Sequence, residues 1–228
     1  MRSKKLTITF DCYGTLLNMQ PIQDKLGEIS RAAKLTTTAE QAQTCFNSYE
    51  DRLMYIEKVI PYQDLLAQIV RFMDLELGSG HVFQNNLPTI VQAYRDLEPY
   101  PDVLPALRQL KRAGHQLYLM SNSSEMLMSA HLEKFGDLFT HIFLPEETGC
   151  YKPDRQFFTT VSKTLDFANH DHYHLANGFW WDVLPCQELN WPYLWINRHE
   201  WQAASSFGDI PQLPDLKTAP EFIANLTK

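Results

Sequence analysis

The feature that most constrains the fold is an alternation of predicted strands and predicted helices. It follows one isolated apolar run near the start of the chain. Short runs rich in β-branched and aromatic residues predict strands, and the segments between them carry apolar residues at helical spacing. The predicted strands are Leu6–Phe10, Gln116–Met120, His141–Leu144, Tyr173–Ala176 and Tyr193–Ile196. The predicted helices are Val103–Ala113, Glu125–Phe135 and Asp154–Leu165. Strands separated by helices imply right-handed crossovers, so the sequence predicts an α/β fold with a doubly wound parallel sheet.

The stretch between the first two predicted strands has a different pattern. Its apolar residues follow helical spacing, as in the series Leu65, Leu66, Ile69, Val70 and Met73. It contains no convincing strand and is too long for a simple crossover. We therefore predict that residues 18–95 form an inserted helical cap domain, and that residues 1–17 and 96–228 form the α/β core.

Composition excludes several classes of protein. The formal net charge is −7, which argues against nucleic-acid binding because phosphate recognition depends on clustered Lys and Arg. No apolar stretch approaches the roughly 20 residues that a membrane helix needs. The 4 cysteines are scattered without a CxxC pair, which is typical of reduced thiols in a cytoplasmic protein. The expected partner is a small-molecule substrate, and a homodimer is left open.

Polar residues follow the predicted strands at or soon after the point where each ends. They are Asp11, the pair Ser121 and Asn122, Lys152, and the pair Asn177 and Asp182. Ligands bind outside the carboxyl ends of the strands in doubly wound sheets. These side chains are therefore candidates for one shared site, and we expect the carboxylate that follows the first strand to be exposed at its rim.

Four segments resemble, in the same order, the four motifs of the haloacid dehalogenase (HAD) superfamily. They are Phe10–Leu16 (FDCYGTL), Leu119–Asn122 (LMSN), Tyr151–Asp154 (YKPD) and Asn177–Asp182 (NGFWWD), the last followed by Trp195–Arg198 (WINR). The match covers nearly all of the chain. It implies a Rossmann-like HAD core with a helical cap and a hydrolase that uses an aspartate nucleophile.

The resemblance also implies roles for individual residues. Asp11 is the expected nucleophile, because a carboxylate can divide a hard displacement into two easier steps. Lys152 is expected to keep it ionised, and Asp182 to orient Lys152 and position water. Ser121 is expected to hydrogen-bond substrate as part of the catalytic set. The expected substrate-binding residues are Cys12, Tyr13, Asn122, Asn177 and Arg52.

The residue two positions after the nucleophile separates the branches of this superfamily. Phosphatases of the superfamily carry a second aspartate there to protonate the leaving group, whereas this chain has Tyr13, as 2-haloacid dehalogenases of type II do. A halide needs no proton to leave. The leading hypothesis is therefore a 2-haloacid dehalogenase-type hydrolase without a cofactor, and ring opening of a small cyclic acid is a related possibility.

Two alternatives stay open. One is a Mg²⁺-dependent small-molecule phosphatase, with Asp11, the Tyr13 carbonyl and Asp182 as metal ligands. The other is a non-catalytic protein that kept the HAD fold as a binding module. The complete set of Asp11, Ser121, Lys152 and Asp182 argues against the second, since a binding module has no need of all four.

The chain departs from the dehalogenase pattern at three positions. Arg52 is only a loose counterpart of the cap arginine that holds the substrate in this family. Counting back from Asp182 puts Asn177 where the family often has Ser, and Phe179 where it has Asn. A short insertion would instead restore Asn177 to its usual role.

Three histidines, His170, His172 and His174, alternate with period two and so are expected on one side of a strand. Such a row is compatible with a metal site. The absence of a nearby cysteine or carboxylate set in the sequence favours an ordinary packed strand face.

Overall fold

The computed structural model describes residues 4–55 and 59–226 and contains one sheet of 6 strands. The strands are β1 (Thr7–Phe10), β2 (Gln116–Met120), β3 (His141–Phe143), β4 (His172–Ala176), β5 (Tyr193–Ile196) and β6 (Gln212–Leu213). Their order in the sheet is β3-β2-β1-β4-β5-β6, and every neighbouring pair is parallel. The predicted α/β class and parallel sheet are therefore confirmed.

The chain divides into two compact units, and α7 is the one described helix whose residues are shared between them. Within the described residues, one unit comprises residues up to 18, Pro99–Asn122 and the chain from Leu132 onward, and the other comprises Met19–Glu98 and Ser123–His131. The helices of the 19–98 segment are α1 (Gln20–Ala32), α2 (Ala39–Met54), α3 (Tyr62–Glu76), α4 (Val82–Asn85) and α5 (Leu87–Arg95). The later helices are α6 (Val103–Arg112), α7 (Glu125–Phe135), α8 (Pro145–Thr148), α9 (Arg155–Thr164), α10 (Leu184–Leu189) and α11 (Ala219–Leu226).

The helical unit is held together by apolar helix faces and by one buried carboxylate. Asp74 near the end of α3 accepts hydrogen bonds from the Ser79 hydroxyl at 2.6 Å and from the backbone N–H groups of Phe83 and Gln84, both at 2.9 Å. These bonds satisfy donors at the start of the short helix α4. Among the described residues, no helix has the length and apolarity needed to cross a bilayer.

Strand β1 lies inside the sheet between β2 and β4, and all of its residues are buried. It pairs with β2 on one side and with β4 on the other, so that Thr9 lies beside Tyr118 and His174. Asp11 follows directly, and its backbone N–H donates to the Leu175 carbonyl at 3.1 Å. The strand order changes direction at this point, which is where open α/β sheets bind their ligands.

The structure contains elements that the periodicity did not predict. β6 has 2 residues, and α11 closes the described chain. A two-residue strand is too short to show an alternating pattern, and this strand exists because Pro211 and Leu213 accept hydrogen bonds from the backbone of Trp195 and Asn197. Its formation therefore depends on a neighbouring strand that is distant in sequence.

The three histidines predicted to share a strand face lie in three different environments. His170 precedes β4 and its side chain is 61% exposed. His172 stacks on Phe167 with 3.8 Å between ring centroids, and the edge of Trp191 lies 5.1 Å away. His174 is buried and belongs to the site described below. No group of three or more His, Cys, Asp or Glu side chains suited to a metal ion occurs within 4–55 and 59–226.

His172 makes the fold sensitive to acid. Burial lowers the pKa of His172 to about 4, and the neighbouring His174 adds to this effect. The unfolded chain therefore binds a proton at this residue from about pH 6.5 downward, whereas the folded chain does so only near pH 4. The free energy of unfolding therefore decreases as the pH falls from about 6.5 to about 4.

We expect His172→Phe to lose about 1–2 kcal/mol less unfolding free energy than the wild type between pH 7 and pH 4.5. This figure is smaller than the full pKa shift implies, because solvent partly screens the residue. The Phe ring retains the stacking on Phe167, and the His172 Nε2 atom that it removes is buried without a hydrogen-bond partner. The check is urea unfolding of both proteins at pH 7 and pH 4.5. Equal losses of unfolding free energy in the two proteins would contradict the assignment.

Candidate active site

The centre of the site is a lysine that joins two carboxylates. Lys152 Nζ donates to Asp11 Oδ1 at 2.9 Å, to Asp182 Oδ1 at 2.7 Å and to the Met120 carbonyl at 3.0 Å. All three donor directions of the ammonium group are used. The Lys152 and Asp182 side chains are 2% and 0% exposed, and the Asp11 side chain is 11% exposed. The prediction that the Asp11 carboxylate is exposed at the rim is therefore wrong, because the neighbouring loop and Lys152 enclose it.

The two carboxylates differ in their affinity for protons. Burial raises the pKa of Asp11, and Lys152 opposes this rise while Asp182 adds to it. For Asp182, burial also favours the protonated form, but Lys152 and His174 outweigh it, so its pKa is lowered. The same two carboxylates raise the pKa of Lys152 against the effect of its burial. The site therefore holds a permanent ammonium group beside an ionised Asp182.

Thr15 holds the second oxygen of Asp11. Its hydroxyl donates to Asp11 Oδ2 at 2.5 Å and accepts the backbone N–H of Asn177 at 2.7 Å. The loop that brings Thr15 back to Asp11 is tight, since the Cys12 carbonyl accepts the N–H groups of both Leu16 and Leu17. Gly14 lies in this loop at φ +77°, a left-handed conformation that favours glycine.

Arg198 fixes the same loop from the other side. Its Nε and Nη2 atoms donate to the Thr15 carbonyl at 3.0 and 2.8 Å, and Nη2 also lies 2.8 Å from Asp102 Oδ2. The guanidinium group lies over the Tyr100 ring at 3.9 Å from its centroid. Asp102 Oδ2 also accepts the Leu216 N–H at 2.8 Å. This arrangement uses the planar fork of arginine to fix the backbone of Thr15.

The two polar residues after β2 have different surroundings. The Asn122 side chain accepts the Lys152 N–H at 2.7 Å and donates to the Lys152 carbonyl at 2.9 Å. Asn122 therefore holds the lysine backbone in place, and its predicted contact with substrate stays a prediction. Ser121 is buried next to it, and its N–H donates to the Phe143 carbonyl at 3.0 Å.

Asp182 lies in a π-helical turn, Phe179–Val183, that follows β4. Both Asp182 and Val183 donate their N–H groups to the Gly178 carbonyl, at 2.9 and 3.1 Å. A Cβ atom at Gly178 would lie 2.6 Å from Asp182 Oδ2, so only glycine permits this approach. The wide turn thereby directs Asp182 Oδ1 to Lys152, while Oδ2 is buried and has no hydrogen-bond partner among the described residues.

The two unusual residues of the fourth motif also have defined surroundings. Phe179 packs edge-on against Trp195 and Phe207, with ring centroids 4.9 and 5.1 Å away. Asn177 uses its backbone for Thr15 and for Trp195 Nε1, which donates to its carbonyl at 3.0 Å. Within residues 4–55 and 59–226 the buried Asn177 Oδ1 atom has no hydrogen-bond partner and is thus an acceptor that a ligand can satisfy.

Three other predicted site residues are less directly placed. The Cys12 side chain is fully buried and its pKa is raised well above the usual range by burial and by Asp11, so its thiol is inert. Tyr13 follows it in the loop and forms an isolated bridge with Leu17. Arg52 lies on α2 in the helical unit, exposed, with its guanidinium group 4.9 Å from the Tyr49 ring centroid.

Sequence reasoning missed three members of this hydrogen-bond network, namely Thr15, His174 and Arg198. Thr15 and Arg198 lie inside motif segments, which is the only sequence signal that they carry. His174 Nε2 lies 3.1 Å from Asp182 Oδ1, and its Nδ1 lies 2.8 Å from the Thr9 hydroxyl. The period-two histidine pattern drew attention to this residue, but as a metal ligand or a packed side chain.

Comparisons with known proteins identify the family of this chain. The model of the haloacid dehalogenase-like hydrolase family matches residues 6–187. The (S)-2-haloacid dehalogenase of Pseudomonas sp. (strain YL) is 26% identical over 215 residues, which cover 91% of this chain and 88% of that protein.

Solved structures share the fold over almost the whole chain. An L-2-haloacid dehalogenase matches with a TM-score of 0.83 at 17% identity, covering 97% of this chain and 99% of the other. The Xanthobacter autotrophicus L-2-haloacid dehalogenase with chloropropionic acid covalently bound matches with a TM-score of 0.77 at 15% identity, covering 96% and 98%. Because the family model spans well over half of its length, the chain belongs to the haloacid dehalogenase-like hydrolases, as its four motifs predicted.

Proposed function

We propose that this protein hydrolyses a small 2-halo carboxylic acid through an ester formed on Asp11. The observation that carries the proposal is the position of Lys152 Nζ, which lies 2.9 Å from Asp11 Oδ1 and 2.7 Å from Asp182 Oδ1. A fixed ammonium group beside the nucleophile stabilises its ionised form and offsets the charge of an anionic substrate. A small monoanion needs no further cation at such a site.

In the first step, a carboxylate oxygen of Asp11 attacks the carbon that carries the halogen. The new C–O bond forms as the carbon–halogen bond breaks, and the halide leaves with the bonding electron pair. Thr15 and Lys152 each hold one oxygen of the carboxylate, at 2.5 and 2.9 Å, so the group reaches the substrate in one orientation. Such restraint lowers the entropy cost of the attack.

In the second step, water attacks the carbonyl carbon of the Asp11 ester. The acyl C–O bond breaks, the 2-hydroxy acid leaves and the carboxylate is restored, with one proton released to solvent. Asp182 Oδ2 suits the positioning of this water, because it is a buried acceptor without a hydrogen-bond partner among the described residues while Oδ1 is held by Lys152. Asn177 Oδ1 is a second acceptor without a partner.

The substrate carboxylate and the leaving halide need hydrogen-bond donors. Ser121 and the backbone N–H groups of Cys12 and Tyr13 are the proposed donors, since the buried Cys12 thiol is inert. The role of Arg52 in binding substrate stays a prediction. Asn122 contributes through Lys152, whose backbone it holds with two hydrogen bonds.

A Mg²⁺-dependent phosphatase is the second candidate, favoured by one observation. The unpartnered oxygen of Asp182 is a place that a cation or a water molecule fills. Against it, the residue two positions after Asp11 is Tyr13 and supplies no strong acid for a phosphate ester. In addition, Lys152 already occupies Oδ1 of both carboxylates. These residues are a poor set for Mg²⁺, and no step of the proposed reaction uses it.

The two candidates differ in their response to chelation. We expect the pure protein, treated exhaustively with EDTA, to hydrolyse short 2-halo acids at an unchanged rate and to ignore added Mg²⁺. The measurement compares halide release from 2-chloropropionate with phosphate release from small phosphate monoesters, each with and without Mg²⁺. Loss of activity that Mg²⁺ alone restores would replace the dehalogenase proposal with the phosphatase. No turnover in any arm would support the non-catalytic binding protein.

A further inference from the structure

His174 joins the site to the interior of the sheet. It lies on β4 opposite Thr9 of β1, and its side chain is 1% exposed. The Nδ1 atom lies 2.8 Å from the Thr9 hydroxyl, and the Nε2 atom lies 3.1 Å from Asp182 Oδ1. The edges of Phe158 and Trp191 enclose the ring at centroid distances of 6.4 and 6.5 Å. The imidazole therefore has a fixed position with both nitrogens engaged.

The partners of the two nitrogens determine which of them carries the hydrogen. An ionised carboxylate only accepts hydrogen bonds, so Nε2 must donate to Asp182 Oδ1. In the neutral ring Nδ1 is then an acceptor, and the Thr9 hydroxyl can donate to it. Asp182 therefore selects the tautomer, and the Thr9 hydroxyl, which is fully buried, satisfies Nδ1 without competition from solvent.

The same three groups have the order of a hydroxyl–imidazole–carboxylate triad, in which the hydroxyl would be the nucleophile. Thr9 cannot act as a nucleophile here, because it is 0% exposed within the central strand and no substrate reaches it. Asp182 is the member that touches the rest of the site, through Lys152 at 2.7 Å. Thr9 therefore holds the His174 ring, and the ring in turn holds Asp182.

We propose that His174 is a positioning residue that holds Oδ1 of Asp182 against Lys152 and thereby reserves Oδ2 for the water that cleaves the ester. This inference rests on the proposed function. Two donors, Lys152 Nζ and His174 Nε2, converge on Oδ1, and Oδ2 has none. Without the imidazole, Lys152 alone would hold the Asp182 carboxylate. With one donor on Oδ1 instead of two, the carboxylate would rotate more freely about the Asp182 Cβ–Cγ bond.

The kinetic test compares three variants. His174→Leu is expected to lower kcat by about 10- to 100-fold, the range for losing a hydrogen bond that orients a working group, and to lower KM with it, so that kcat/KM changes little. Because only ester cleavage is slowed, the aspartyl ester should accumulate in rapid-quench mass spectrometry. His174→Gln, which extends an N–H about as far as Nε2, should recover most of the rate. His172→Leu is the matched control on the same strand and should change neither kcat nor ester level.

Three kinetic results would overturn the inference. The first is a His174→Leu variant with wild-type kcat. The second is a slow variant in which no ester accumulates, and the third is a slow variant whose rate Gln does not restore, because a general packing defect would behave in either way. If the Leu variant does not fold, the Gln variant and the measurement below decide the matter.

A second measurement does not depend on turnover. In protein labelled with ¹⁵N-histidine, the His174 resonances are expected to show a hydrogen on Nε2 at neutral pH in the wild type. An Nε2 atom without hydrogen would overturn the inference whatever the activity. If the wild type forms no ester from any 2-halo acid, the proposed function fails, and the position of the hydrogen still decides whether His174 donates to Asp182.

Discussion

Asp11→Asn is expected to abolish turnover while the protein stays folded. The amide is nearly isosteric with the carboxylate but is a very poor nucleophile, so the first step fails. We expect less than about a hundredth of the wild-type rate, since losing one catalytic group costs 10²-fold or more. Halide release under single-turnover conditions measures this directly, and mass spectrometry should show no ester on the variant.

The control for this experiment is Asp24→Asn, the same change at an exposed carboxylate on α1 that interacts with Gln20 at 3.1 Å. It should have the wild-type rate. Thermal melting separates chemistry from folding, because Asp11→Asn removes one of the two negative charges that share Lys152 and should not lower stability strongly. An Asp11→Asn protein that keeps more than the stated rate would show that another group is the nucleophile.

Lys152→Met is expected to lower both activity and stability strongly. Its removal leaves two buried carboxylates without their shared counter-charge, and breaking a buried ion pair by removing one partner typically costs about 3–5 kcal/mol. The rate should fall by at least about 100-fold, because the group that stabilises the ionised nucleophile is gone. The pKa of Asp11, already raised by burial, should rise further, which moves the acidic limb of the pH–rate profile to higher pH.

The matched control is Lys111→Met, which removes a lysine that is 39% exposed and forms an ion pair with Asp137 at 3.7 Å. Exposed pairs contribute about 0–1 kcal/mol, so this variant should unfold at nearly the wild-type urea concentration. If Lys152→Met were as stable as Lys111→Met and its acidic limb stayed in place, the buried bridge between Asp11 and Asp182 would be refuted.

The sequence contained enough information for five of the 6 strands because these are apolar runs ended by polar residues. Gln116–Met120 and Tyr193–Ile196 have the predicted bounds, and β1 begins one residue later than predicted. The same logic selected Lys152 and Asp182 as members of one site, and the structure brings them together with Asp11. A local sequence pattern is enough to predict the position of a residue when that position depends only on where a strand ends.

The supporting contacts of the site could not be predicted in that way. The contact between Thr9 and His174 depends on the register of two strands whose residues are 165 positions apart. The approach of Asp182 to Lys152 depends on a π-helical turn and on the missing Cβ of Gly178. Periodicity carries no information on either, because each depends on geometry between segments and not within one. Asp182 was assigned its role by resemblance, and His174 had no counterpart in the motifs.

The central position of β1 has a consequence for how the enzyme is made. Its two neighbours follow late in the chain, with Leu6 bound to His115 across 109 positions and Thr9 to His174 across 165. At 5–20 residues per second, the ribosome completes β4 roughly 8–30 s after β1, and during that time the strand has no partner on that edge. An apolar strand with free edges is prone to aggregate. We expect nascent chains of this protein to need chaperone binding at residues 6–10, and halide release to return during refolding only when β1 enters the sheet.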